Sequence, residues 1–213
     1  MLKQKHFIDT HKGITPLFII FLITLYDQWS NMDAMLYLAL HGTYGLLWIT
    51  KSCIYPDKQW ESKTPLWYGL FIWSGLSLYW ISPYIITSGN HFLPMNVINN
   101  TVYVGCCVIL YILGIFLHFT SDMQKHIHLK LKPGNLITDH MFARSRNTNY
   151  LGELFIYLGF SLIAKDWVSL IGLFLIIFII WIPNMIKKDK SLSRYSEFSD
   201  YKRKSKRFFP FLF

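Results

Sequence analysis

The distribution of basic residues between apolar runs constrains this chain more than any other feature. Six stretches are apolar enough to read as membrane-crossing helices: 14–26, 34–50, 66–87, 102–119, 150–164 and 167–186. A helix needs about 20 residues to cross a bilayer; the first stretch is short, and the fifth is short and contains Glu153. Lys and Arg alternate with the spans. Three lie before the first run, three in residues 51–63, five in 120–149 and nine from Lys187 onward, whereas the segments 27–33 and 88–100 have none and Lys165 is the remaining one. Cytosolic loops collect Lys and Arg. Six spans with both ends in the cytosol satisfy that bias, and the fold expected is an all-α membrane helix bundle.

Composition agrees. Hydrophobic residues make up 53% and charged residues 15%, against about 25% charged in a soluble domain. Too few polar residues remain to cover a water-facing surface, and disorder, collagen and disulfide scaffolds are excluded with it. The formal charge is nevertheless +9. Residues 120–149 carry +3 and those from Lys187 onward +6, which together account for the whole excess. These segments flank the last two spans, which Lys165-Asp166 should join in a tight hairpin. A basic mouth of this kind attracts anionic headgroups or holds a cofactor bearing phosphates. Nucleic acid is disfavoured, since the cations adjoin membrane spans and no recognised binding motif appears.

The first apolar run follows Lys3, Lys5 and Lys12 but lacks a small-x-small cleavage site, and it reads as a retained span. Cys53, Cys106 and Cys107 form no disulfide framework. His126 and His128 are too poor a set for a metal, so none is expected. There is no Walker, GxGxxG or GxSxG motif.

Ionisable groups inside a membrane are costly and ask for an explanation. Asn149 and Glu153 lie one helical turn apart, on one face. An amide and a carboxylate there can hydrogen-bond a carboxamide or amino group; equally, they suit an N-terminal helical turn, Asn149 as cap and Glu153 favoured by the dipole. Gly152 lets a helix or a flat ligand come close. His41 and Tyr44 also share a face, with Gly42 and Gly45 leaving room for a bound molecule. A phenol backed by an imidazole can donate a proton, and an interhelical hydrogen bond is the alternative. The apolar ending after Arg207 suggests that the last segment folds back, bringing its cations over the mouth.

The stretch Leu131-Lys132-Pro133-Gly134-Asn135, then Ser145-Arg146-Asn147-Thr148-Asn149-Tyr150-Leu151-Gly152-Glu153, and the ending Asp200-Tyr201-Lys202 through Phe209-Pro210-Phe211-Leu212-Phe213 resemble the C-terminal domain of steroid 5α-reductases. The resemblance is closest to the bacterial branch labelled domain of unknown function 1295, and it covers residues 120–213 best. It implies a single integral-membrane domain over 1–213, with 120–213 as its cofactor-binding half. It also implies NADPH as cofactor, a lipid or steroid-like substrate with a polarised C=C bond, and a bacterial inner membrane as location. Lys132 matches a cofactor-phosphate region, and Asn149 and Glu153 match the pair holding the nicotinamide end. Arg194, Tyr195, Asp200, Tyr201 and Lys202 match a cofactor-binding tail. Tyr44 falls where the reductases keep a tyrosine that polarises the substrate carbonyl. The glutamate that partners that tyrosine has no counterpart upstream, and His41 is the available substitute.

Isoprenylcysteine carboxyl methyltransferases, which use S-adenosylmethionine, belong to the same superfamily and are the alternative. They resemble this chain around Arg146-Asn147-Thr148-Asn149-Tyr150. They also carry an acidic pair after the last span, where Lys187-Lys188-Asp189-Lys190 stands here. The Asn149/Glu153 spacing and the ending favour the reductase. The oligomeric state is not legible.

Overall fold

The computed structural model describes residues 2–212, so Phe213, the last residue of the apolar ending, lies outside the described residues. Among them seven helices form: α1 (Gln4–Leu25), α2 (Met32–Ile54), α3 (Leu66–Ser88), α4 (Asn100–Leu131), α5 (Thr148–Ser161), α6 (Val168–Leu192) and α7 (Phe198–Lys204). No strand longer than an isolated bridge occurs among the described residues, as the apolar runs require. Helices α1, α3, α4 and α6 are long and apolar enough to cross a membrane. Two helices begin or end well outside the apolar runs. α1 starts ten residues before Ile14, and α4 continues through the polar stretch 120–131. At 1.5 Å per residue its 32 residues reach about 48 Å, longer than the roughly 30 Å hydrocarbon core.

The chain divides into two compact units, residues 1–111 with 157–173 and residues 112–156 with 174–213.

In the first unit, α1 packs on α2 around a proline. Pro16 has no N–H to offer the Lys12 carbonyl, and that carbonyl lies against Gly45: a Cβ there would sit 2.5 Å from it. A Cβ on Gly42 would meet Pro16 at 3.4 Å. The room left by these two glycines is therefore taken by α1, not by a ligand. Tyr37, Tyr44, Ile19, Ile23, Ile85 and Phe160 are fully buried around this contact. The start of α1 is tied to residues 60–64: Gln4 and Lys5 donate backbone N–H groups to Ser62 (3.1 Å) and Trp60 (2.9 Å), and Thr64 donates to Leu2 (2.9 Å). Glu61 accepts from Lys3 and Lys5, each at 2.5 Å, and these ammonium groups hold its carboxyl below the usual carboxylate range. At the 165–166 turn, Lys165 adopts a left-handed conformation (φ 52°). Fully buried Asp166 accepts the N–H groups of Phe92 (2.7 Å), Leu93 (3.1 Å) and Val168 (2.9 Å).

In the second unit, α4 and α5 touch through glycines. A Cβ on Gly114 would lie 2.6 Å from the Ile156 nitrogen and 2.7 Å from the Gly152 carbonyl. Gly152 thus admits another helix. Helix α6 widens into a π turn over Ile177–Trp181, just ahead of Pro183, which withholds a hydrogen-bond donor. The segment after α6 folds back on residues 142–148: α7 packs Phe198 and Tyr201 inward, and Ser145 bridges Lys206.

Candidate functional site

Each unit holds candidate residues among buried polar side chains. In the second unit the centre is Arg146, 4% exposed. Its Nε and Nη2 donate to Asp189 at 2.9 and 3.0 Å, and its Nη1 donates to the Ser205 carbonyl at 2.7 Å. Asp189 also accepts from Arg207 Nε at 3.0 Å. Asn147 Nδ2 donates to the Arg207 carbonyl (2.7 Å), Ser145 Oγ to the Phe208 carbonyl (2.7 Å) and Lys188 Nζ to the Arg146 carbonyl (2.6 Å). A planar guanidinium satisfied on three sides fixes geometry as well as charge. This network sets the turn from which α5 starts, and so places Asn149 and Glu153 on its first turns.

Asn149 keeps its side-chain carbonyl, Oδ1, buried with no hydrogen-bond partner among the described residues. Its backbone carbonyl meets His118 Nδ1 at 3.1 Å. His118 is itself buried on α4, with Nε2 3.7 Å from Asp122. Glu153 is half-buried.

Among the remaining candidates, Lys132, Arg194 and Lys202 are exposed. Arg194 Nη2 donates to the Tyr195 hydroxyl at 3.1 Å. Asp200 is paired with Arg203. Tyr201 is buried, and its hydroxyl donates to the Phe142 carbonyl at 2.7 Å; burial pushes its phenol up to about 12. Its observed task is to hold α7 against residue 142.

In the first unit, Tyr44 and His41 are both buried, at 0% and 4% exposure, but the contacts of the imidazole differ from the expected ones. His41 Nδ1 meets the Tyr37 hydroxyl at 3.0 Å, one turn back on α2, and its ring stacks on Phe160 at 4.2 Å. Tyr37 donates onward to the Tyr79 carbonyl (3.1 Å). The ring of Tyr44 instead faces Lys12, whose ammonium lies 4.0 Å from its centroid and 4.6 Å from that of Trp48. Lys12 Nζ also donates to the Tyr157 hydroxyl at 2.9 Å. The sequence placed Lys12 among the cytosolic N-terminal cations; the structure buries it, 5% exposed, inside the helices. A desolvated ammonium over aromatic faces is favourable by about 2 kcal/mol. Next to a phenol oxygen, it favours any negative charge that oxygen acquires.

A family described as a protein of unknown function (DUF1295) has a model that matches residues 55–207. The chain belongs to the DUF1295 family. No curated protein and no solved structure matches it. The DUF1295 match spans Lys132, Asn149, Glu153, Arg194, Tyr195, Asp200, Tyr201 and Lys202, together with Arg146 and Asp189. Lys12, His41 and Tyr44 lie ahead of it.

Sequence reasoning on this DUF1295 chain missed four participants. Lys12 had a signal: with His11 and Thr15 it forms a polar stripe running up to Pro16. His118 stands at the end of an apolar run, where its polarity was visible and its partner was not. Arg146 and Asp189 were each visible, but 43 residues separate them.

Proposed function

We propose that this DUF1295 chain is an NADPH-dependent membrane reductase acting on a polarised C=C bond of a lipid. The observation that carries the proposal is the buried, unpartnered Asn149 carbonyl one turn from Glu153. A buried acceptor without a donor costs about 1–3 kcal/mol, and a carboxamide N–H removes that cost. The donor set fits NADPH: Asn149 and Glu153 accept from the carboxamide, and exposed Lys132, Arg194 and Lys202 meet the phosphates. Bound there, NADPH supplies the hydride.

The chain's own residues supply the proton and the orientation. Tyr44, with His41, is the resemblance's choice for the substrate oxygen, and Lys12 adds an ammonium against the Tyr44 ring and the Tyr157 hydroxyl. The resemblance to steroid 5α-reductases supports the same chemistry, as does the surplus of exposed cations from Lys187 onward. Six spans, cytosolic ends and a bacterial inner membrane accompany this reading, since α2 and α5 complete the count and the cations then share one side.

Titrating purified protein with NADPH tests it by nucleotide fluorescence. Binding is expected, and Asn149→Ala should weaken it at least tenfold. A bound ligand raises stability by mass action, about 2.7 kcal/mol at a hundred times its Kd. A thermal shift with S-adenosylmethionine and none with NADPH would instead establish the methyltransferase alternative.

A further inference from the structure

A cavity of about 290 Å³ opens in the first unit among residues 28–33, 86–91 and 163–165. Ligand cavities run from roughly 300 to 1,000 Å³, so it suits a small group. Its walls are rigidly built. Asn31 caps α2, accepting from Asp33 N at 3.0 Å and Ala34 N at 3.2 Å, and its amide donates to Gln28 at 2.8 Å. Thr87 donates to the Pro83 carbonyl at 2.7 Å. The loop that brings His91 to the cavity is held by Asp166 and by the Met95 N–H on the Lys165 carbonyl (2.8 Å).

The charged and titratable groups of this region are Asp33 and Lys165, which are ion-paired and about a quarter exposed, and His91, whose Nδ1 lies 3.6 Å from Asp166. One positive and one negative pole stand side by side with the Ser88 hydroxyl beside them. A ligand of one sign would take one pole and strand the other, at the cost of an unpaired, partly desolvated charge. A zwitterion exchanges one ion pair for two.

The surroundings indicate where that zwitterion comes from. Ile86–Ser88 close α3 and residues 28–33 lead into α2, so the cavity sits where apolar helices end. Trp29, Met32, Phe92 and Trp167, neighbours in the chain of the lining residues or of Asp166, are all more than half exposed. Exposed aromatic side chains at span ends belong at the membrane–water interface.

We propose that this cavity binds the phosphoethanolamine headgroup of a membrane lipid. The primary ammonium donates to Asp33, and the phosphate accepts from Lys165 and Ser88. A choline headgroup has no N–H to give Asp33, and a glycerol headgroup brings no cation. The site is independent of the reductase proposal.

The test is native mass spectrometry of the full chain released from bilayers of equimolar phosphatidylethanolamine, phosphatidylcholine and phosphatidylglycerol. Wild-type protein is expected to retain the ethanolamine lipid at least tenfold over the other two, a ranking that needs no variant. Asp33→Asn and Lys165→Gln should each abolish the preference. Equal retention of the three lipids, or a preference undiminished in both variants, overturns the proposal. Displacement of the lipid by an equal concentration of soluble glycerophosphoethanolamine would overturn the lipid source in favour of the free zwitterion.

Discussion

Lys12 in the first unit and Arg146 in the second are both almost fully buried, yet their neighbourhoods treat the charge differently. Arg146 meets a carboxylate through two donors and backbone and hydroxyl oxygens through a third. Lys12 meets the faces of Tyr44 and Trp48 and one phenol oxygen. A guanidinium locked against Asp189 is fixed in place, and what it fixes is the junction of the 145–148 turn with residues 205–208. An ammonium over ring faces is held by softer, less directional contacts. The contrast separates a cation that locks a chain junction from one set beside a phenol oxygen, the place the proposed reductase reading gives it.

Removing each cation should divide the two roles. Arg146→Ala leaves Asp189 with Arg207 alone and strips the Ser205 carbonyl of its donor. Breaking a buried pair costs about 3–5 kcal/mol, so a large fall in the heat-aggregation midpoint in detergent is expected, with residues 198–208 becoming protease-sensitive. Lys12→Met preserves length in an apolar setting. Its cation–π gain is offset by relief from desolvation, so stability should stay within about 1 kcal/mol of wild type while turnover falls at least tenfold with NADPH affinity unchanged. A loss of stability as large as that of Arg146→Ala would erase the distinction.

Exposed cations give the smallest effect. Glu61, about a quarter exposed and held by Lys3 and Lys5, has a depressed folded-state pKa. Its contribution is therefore present above the unfolded value near 4.5 and is lost as pH falls through the lower folded value. Exchange protection at Gln4, Lys5 and Thr64, corrected for intrinsic rates, should drop below pH 4.5 in wild type and show no such step in Glu61→Gln.

The helices were legible because period and length suffice for them: α3, α4 and α6 follow from uninterrupted apolar runs. The ends were not. α1 begins at Gln4 because the Glu61 contacts to Lys3 and Lys5 support a polar first turn, and nothing local announces a partner nearly sixty residues away. The pair Asn149 and Glu153 was legible from one-turn spacing; the fold-back of the last segment rests on Phe198, Tyr201 and Phe208, while Phe211 and Leu212 of the apolar ending are exposed. Two glycines misled and one did not. Gly42 and Gly45, read as room for a bound molecule, face helix α1, whereas Gly152 admits a helix, one of the two occupants its spacing allowed. Spacing identifies a gap without identifying its occupant. Charge misled for Lys12, since the positive-inside bias counts cations and does not see which of them point inward.

The position of Asp166 has a consequence for biogenesis. The amide groups of Phe92 and Leu93 that it binds precede it by 74 and 73 residues, and Lys165 pairs with Asp33, 132 residues upstream. Spans α3 and α4 therefore enter the bilayer while the loop between them has no fixed shape. Only when residues 165 and 166 leave the ribosome does that loop set, together with the start of α2. A nascent chain stalled before this point carries an open loop between α3 and α4, a target for proteolysis that the finished fold removes.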